Sequence, residues 1–97
     1  MAAFIIAEIV ITDPEKYETY RTQTAASFEP YGGKFLVRGG HAELLEGDQQ
    51  PGRMVVIEFP DIAKLNAWYG SETYQALKAI RVAAAESRLI SVDTASS

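Results

Sequence analysis

The chain has 97 residues, 47% of them hydrophobic and 23% charged, with a formal net charge of −4 and no cysteine. That length holds one domain, expected over residues 1–97 with an ordered core from about 3 to 93, and it buries only roughly two-thirds of its unfolded surface, so oligomerisation would help it. The absent cysteine excludes a disulfide framework, a thiolate metal site and a cysteine nucleophile, and the acidic balance argues against non-specific binding to nucleic acid or anionic lipid.

The first element, Ala3 to Ile11, is rich in Ile and Val and predicts a strand. Ile5, Ala7, Ile9 and Ile11 line one face and Phe4, Ile6 and Val10 the other, as in a central strand covered on both sides. The run is too short for a membrane span and lacks the basic flank of a secretory signal, so a cytoplasmic protein is expected. Asp13-Pro14 opens a helix, with Asp13 as N-cap and Pro14 where its missing N–H is harmless. Tyr17, Tyr20, Thr24 and Phe28 form its inward stripe, and Pro30 with Gly32-Gly33 ends it.

Lys34 to Arg38 predicts a second strand, with a bulge or positive φ at Gly39-Gly40 and a continuation over His41 to Leu45. Gly47 to Gly52 is a polar turn into a third strand, Arg53 to Phe59. Asp61 caps a second helix whose inward residues are Ile62, Leu65 and Tyr69. Gly70-Ser71 interrupts it, and Ser71 caps a further stretch with Tyr74, Leu77, Arg81 and Ala84 on one stripe. Arg88 to Val92 is a last strand, and Thr94 to Ser97 form a small polar tail expected to fray.

The order βαββαβ predicts a ferredoxin-like α+β fold: a four-stranded antiparallel sheet, order 4-1-3-2, with both helices on one face. Phe4, Ile6, Val10, Met54, Val56 and Leu36 share the parity of the opposite, open face. So large an apolar patch calls for a cover, and a second copy in a two-fold homodimer is the simplest.

Several strings occur in an order that resembles one family. They are Asp13-Pro14-Glu15 with Tyr17 and Tyr20, Gly32-Gly33, Arg38-Gly39-Gly40, Leu45-Glu46-Gly47 and Pro51-Gly52-Arg53, then Glu58-Phe59-Pro60 and Trp68-Tyr69 with Ser71 and Tyr74. Together they resemble the domain-of-unknown-function family 1330, a branch of the dimeric α+β barrel superfamily, from about Phe4 to Val92. The resemblance implies a ferredoxin-like protomer and a barrel-like dimer. It brings no catalytic residues, because the family has no established activity. The wider superfamily spans cofactor-free monooxygenases, haem enzymes, lactone isomerases and ligand-binding modules, so fold alone does not choose a function.

Three groups of residues are candidates for chemistry. Glu8, Arg38 and Glu58 share one parity on neighbouring strands, as either a structural ion cluster at a dimer contact or an acid–base group. Tyr17, Tyr20, Trp68, Tyr69 and Tyr74 combine aromatic bodies with polar tips. They suit core packing, or a cleft for a flat ligand with Arg81 or Arg38 as anion anchor. His41, the only histidine, is a general-base candidate without a triad partner, or an exposed residue after a bulge. One histidine and no cysteine argue against a metal site and against haem, so no cofactor is expected. The βαββαβ order also serves RNA recognition, but the third strand lacks stacking aromatics and the net charge is wrong. Two functions stay open: a dimeric module binding a small metabolite between helices and sheet, and a cofactor-free enzyme, monooxygenase- or isomerase-like, acting on a small aromatic or oxo-acid metabolite. In the second, Tyr and Arg side chains would position the substrate and Glu58 or His41 would move the proton, with Arg38 a further catalytic candidate.

Overall fold

A computed structural model describes residues 1–95. Its strands and helices run β1 (Ala3–Ile11), α1 (Pro14–Phe28), a 3-10 turn (Glu29–Tyr31), β2 (Lys34–Gly40), β3 (Arg53–Phe59), α2 (Ile62–Tyr69), α3 (Glu72–Ala84) and β4 (Ala85–Asp93). The strands pair antiparallel in the order β2-β3-β1-β4, which is the expected 4-1-3-2 order read from the other edge. The fold is ferredoxin-like, with its second helix split in two.

Each helix starts where its capping side chain says it should. Asp13 Oδ1 accepts from the Lys16 amide at 3.2 Å and Asp61 Oδ1 from the Lys64 amide at 2.8 Å. Ser71 Oγ accepts from the Tyr74 amide at 3.1 Å while donating to the Trp68 carbonyl at 2.7 Å, so one hydroxyl ends α2 and begins α3. Gly32, at φ 78°, closes the 3-10 turn in the left-handed region, and its amide donates to the Glu29 carbonyl. The amides of Thr12 and Asp13 both donate to the Ala84 carbonyl at 2.9 Å, fastening the end of β1 to the end of α3.

The core lies between the helices and one face of the sheet. Ala3, Ile5, Ala7 and Ile9 of β1 and Ile57 and Phe59 of β3 point into it, against Tyr17, Tyr20, Phe28, Leu65, Trp68, Tyr74 and Leu77. Trp68 rather than Tyr69 turns fully inward on α2, and Tyr69 and Ile62 stay half-buried. Each fully buried aromatic or leucine side chain contributes about 1.5–3 kcal/mol. One chain of polar tips in this core is paired from α2 to α1. Trp68 Nε1 donates to Ser27 Oγ at 3.0 Å, Ser27 Oγ to the Thr24 carbonyl at 2.6 Å and Thr24 Oγ1 to the Tyr20 carbonyl at 2.7 Å.

The opposite face is open. Ile6 sits between Val56 and Ile90, and Phe4 between Glu58 and Val92. Val10, Ile90 and Val92 remain 52%, 43% and 38% exposed.

Three expectations need correcting. The second strand reaches Gly40 but does not resume over His41 to Leu45; residues 41–52 form an irregular connection, bridged by Gln50, whose Oε1 accepts from the Leu44 amide at 3.0 Å and whose Nε2 donates to the Ala42 carbonyl. The last strand is longer than Arg88 to Val92 because α3 passes into it directly at Ala85. The third correction is one of facing. Phe35 pairs with Ile57 and Val37 with Val56, so Leu36 is an extra residue in a β-bulge, and Val37 and Arg38 change face before a second register shift at Gly39, where a bulge is expected. Arg38 therefore stands opposite Val55, on the helix side, and Leu36 leaves the regular open-face row. In the tail, the Thr94 amide donates to the Ala2 carbonyl at 3.2 Å, and Ser96 and Ser97 lie outside the described residues.

Candidate functional site

Between α1 and the sheet lies an apolar cleft of about 30 Å³. Its floor is Ile5, Ala7 and Ile9 of β1, Val55 and Ile57 of β3 and Leu89 of β4. Tyr17, Tyr20 and Thr24 of α1 form the roof, and Trp68 and Phe35 close the sides. Three arginines, Arg21, Arg38 and Arg53, complete the lining, and no carboxylate does.

The arginines are not equivalent. Arg21 is neutralised on the surface by Glu18, whose Oε2 accepts from Arg21 Nε at 2.9 Å and whose Oε1 accepts from Arg21 Nη2. Among the described residues, neither Arg38 nor Arg53 has a carboxylate within 4.0 Å. Arg38 stacks its guanidinium on the Phe35 ring, 4.7 Å from the centroid, which holds the charge over an apolar surface. Arg53 Nε is buried and has no hydrogen-bond partner. The guanidinium packs onto Gly39, at φ 82°, in space that any side chain at that position would fill. The left-handed backbone of Gly39 and the close approach of Arg53 both require glycine there.

The phenols mark the inner wall. The Tyr20 and Tyr74 hydroxyls lie 2.9 Å apart, buried, so one donates to the other. Burial pushes the Tyr20 phenol far above the ordinary phenol range, and the neighbouring Tyr74 adds to the effect. Burial also raises Tyr17, against the opposing charges of Arg53 and then Arg81.

The expected site residues are thus divided. Tyr17, Arg38 and Trp68 meet in the cleft. Tyr74 lies behind it, wholly buried, against two lining residues: its hydroxyl meets that of Tyr20 and its ring packs on Trp68, 4.1 Å between centroids. Tyr69 and Arg81 line a different groove, between α3 and β4. Glu8, Arg38 and Glu58 do not form a cluster, because the bulge at Leu36 moves Arg38 to the other face. Glu8 instead stands opposite Met54 and Arg88, and Glu58 pairs with Lys34 at 3.1 Å on the edge of the sheet. His41 is 80% exposed beside Glu43 at 3.6 Å, away from the cleft lining. Arg53 is the residue that sequence reasoning missed. Its only signal was its position at the start of β3, two residues from Val55 and hence on the same face as the core.

No group of three or more potential metal ligands occurs among the described residues, and no helix is long and apolar enough to cross a membrane.

Comparison with known proteins places the chain in a family. Residues 2–95 match the model of the domain of unknown function DUF1330, and the chain belongs to that family. A search of curated proteins returns no match. Among solved structures, a protein of unknown function from Rhodopseudomonas palustris superposes with a TM-score of 0.77 at 22% identity, covering 95% of this chain and 81% of that one. SnoaB, a cofactor-independent oxygenase from Streptomyces nogalater, gives 0.68 at 16% identity, covering 96% and 92%. A dimeric ferredoxin-like protein of unknown function from Jannaschia sp. CCS1 gives 0.63 at 11% identity, covering 97% and 100%. At these identities the likeness establishes the fold.

Proposed function

We propose that this DUF1330 protein works as a homodimer that binds a small, flat, anionic metabolite, an aromatic or oxo-acid carboxylate, in the cleft between α1 and the sheet. The observation that carries this reading is the pair of guanidiniums without carboxylate partners, Arg38 and Arg53, at the rim of an otherwise apolar cleft. Arg53, half-buried with its Nε unpartnered, bears a desolvation cost, and a bound carboxylate would offset it with bidentate hydrogen bonds, with the exposed Arg38 adding a second charge. Phe35, Trp68 and Val55 would hold the flat apolar part of the ligand. The homodimer rests on the open face around Phe4, Ile6, Val56 and Ile90 and is in keeping with solved neighbours described as dimeric. A cytoplasmic location accords with a chain free of cysteine.

The experiment is a thermal-shift panel of aromatic and oxo-acid carboxylates, each run beside its uncharged amide, on the wild type and on Arg53→Gln. A stabilisation selective for carboxylates that disappears in Arg53→Gln supports the reading. Equal shifts for acid and amide, or none, overturn it.

A second reading, catalysis, is favoured by the fold shared with SnoaB. In a cofactor-independent oxygenation the same guanidiniums would hold an enolate oxygen of the substrate. Dioxygen uptake on adding a carboxylate that binds would support this reading, and binding without turnover rejects it.

A further inference from the structure

We infer that a second site, separate from the cleft, binds a phosphate dianion in the groove between α3 and β4. The groove is lined by Tyr69, Lys78, Arg81, Val82, Ser87 and Leu89, together with Ala85. Its lining holds two cationic side chains and no acidic one. Arg81 is only 5% exposed, yet among the described residues no carboxylate lies within 4.0 Å of it. One of its terminal nitrogens donates to Ser87 Oγ, and its Nε is buried without any partner. A guanidinium carries five N–H donors in a planar fork, so Arg81 has donors to spare. Lys78 stands one helical turn before it on α3, with Nζ 5.3 Å over the Tyr69 ring. The ring keeps the ammonium beside the groove instead of letting it range through solvent.

Arg81 and Lys78 together supply two positive charges, which matches a dianion better than a monoanion. Ser87 adds a hydroxyl that is free to turn towards a phosphate oxygen while its own oxygen accepts from Arg81. Val82 and Leu89 flank the charges with apolar surface, which a phosphate monoester would cover with its organic part. Leu89 lies between the two linings, but the polar groups of the groove, Arg81, Lys78 and Ser87, are not part of the cleft lining.

The test is a nitrogen-15 NMR titration of the whole chain with inorganic phosphate at constant ionic strength, reading the backbone amides and the arginine Nε–H groups. Saturable shifts centred on Arg81 Nε–H and the amides of Lys78 and Ser87 are expected. Lys78→Ala should weaken the apparent affinity about tenfold, the loss of one charge-assisted contact. Ser87→Ala should weaken it less, and Arg53→Gln should leave it unchanged. Lys78 and Ser87 are not core residues, so these variants fold even if Arg81→Gln does not. A parallel titration with acetate should need a higher concentration to reach the same shift. A drift that does not saturate, shifts centred on Arg53 instead, or saturation by acetate at or below the phosphate concentration would overturn the assignment. Failure of the carboxylate panel at the cleft would leave these shifts in place, so the two sites stand or fall separately.

Discussion

Gly39 and Arg53 fit together as socket and plug. A Cβ at Gly39 would fall within the guanidinium of Arg53, and the backbone there has a φ of 82°, so no L side chain is accommodated without moving the arginine. The charge at the cleft rim is therefore positioned by a residue that has no side chain.

The first prediction tests that relationship. Gly39→Ala should destabilise the fold by about 1–2 kcal/mol through backbone strain and should also displace Arg53. Carboxylate-selective stabilisation should then be lost as it is in Arg53→Gln. Chemical denaturation reads the first effect and the thermal-shift panel the second. Retained carboxylate selectivity in Gly39→Ala would show that Arg53 does not need its seat.

The buried hydroxyl pair gives the second. Tyr20→Phe leaves the Tyr74 hydroxyl without its 2.9 Å partner inside the core, at a cost of about 1–3 kcal/mol. Replacing both tyrosines by phenylalanine should cost less than the sum of the two single changes, because neither polar group is then stranded. Denaturation midpoints across the four proteins would measure the coupling, and strict additivity would contradict it.

Alkaline pH gives the third. The Tyr20 phenol is held protonated by burial, well above the ordinary phenol pKa. Above about pH 10 the unfolded chain releases the proton that the native chain keeps, so the native state binds more protons and stability falls as pH rises. The loss is about 1.4 kcal/mol per pH unit for one such group. Tyr17, raised in the same direction, adds to it until its own folded pKa is passed. The free energy of urea unfolding should approach this slope above about pH 10, and Tyr20→Phe should flatten it. An unchanged slope in that variant would assign the alkaline loss to other groups.

The open sheet face gives the fourth. Ile6 is flanked by Val56 and Ile90 in the middle of that face. Ile6→Glu would place a charge where a second copy is proposed to dock and should halve the sedimenting mass at micromolar concentration while leaving the helical circular-dichroism signal intact. A wild-type protein that sediments as a single chain would end the dimer reading.

A fifth concerns Glu58. Its pairing with Lys34 is a partly exposed contact at a sheet edge, worth no more than about 1 kcal/mol. Glu58→Gln should change stability within that range and leave carboxylate binding untouched. Loss of binding in that variant would return Glu58 to the site.

Much of this protein is legible in its sequence because the signals are local. Asp13, Asp61 and Ser71 cap the helices by hydrogen bonds to amides three residues on, and the alternation in Ala3–Ile11 and Arg53–Phe59 follows from a side-chain period of two. Element order then leaves few sheets to choose from. The inward stripe Tyr17, Tyr20, Thr24 and Phe28 is likewise a matter of helical spacing. What only the tertiary structure decided is which charges share a site. The bulge at Leu36 adds one residue to β2 against β3, and one residue is half a period, so Arg38 crosses from the open face to the cleft. That shift separated Arg38 from Glu8 and Glu58 and brought it to the cleft that Arg53 also lines. Nothing in Lys34–Gly40 announces the bulge, because Phe35, Leu36 and Val37 are apolar whichever face they take. A register is a relation between two strands, and it is set by the packing of both.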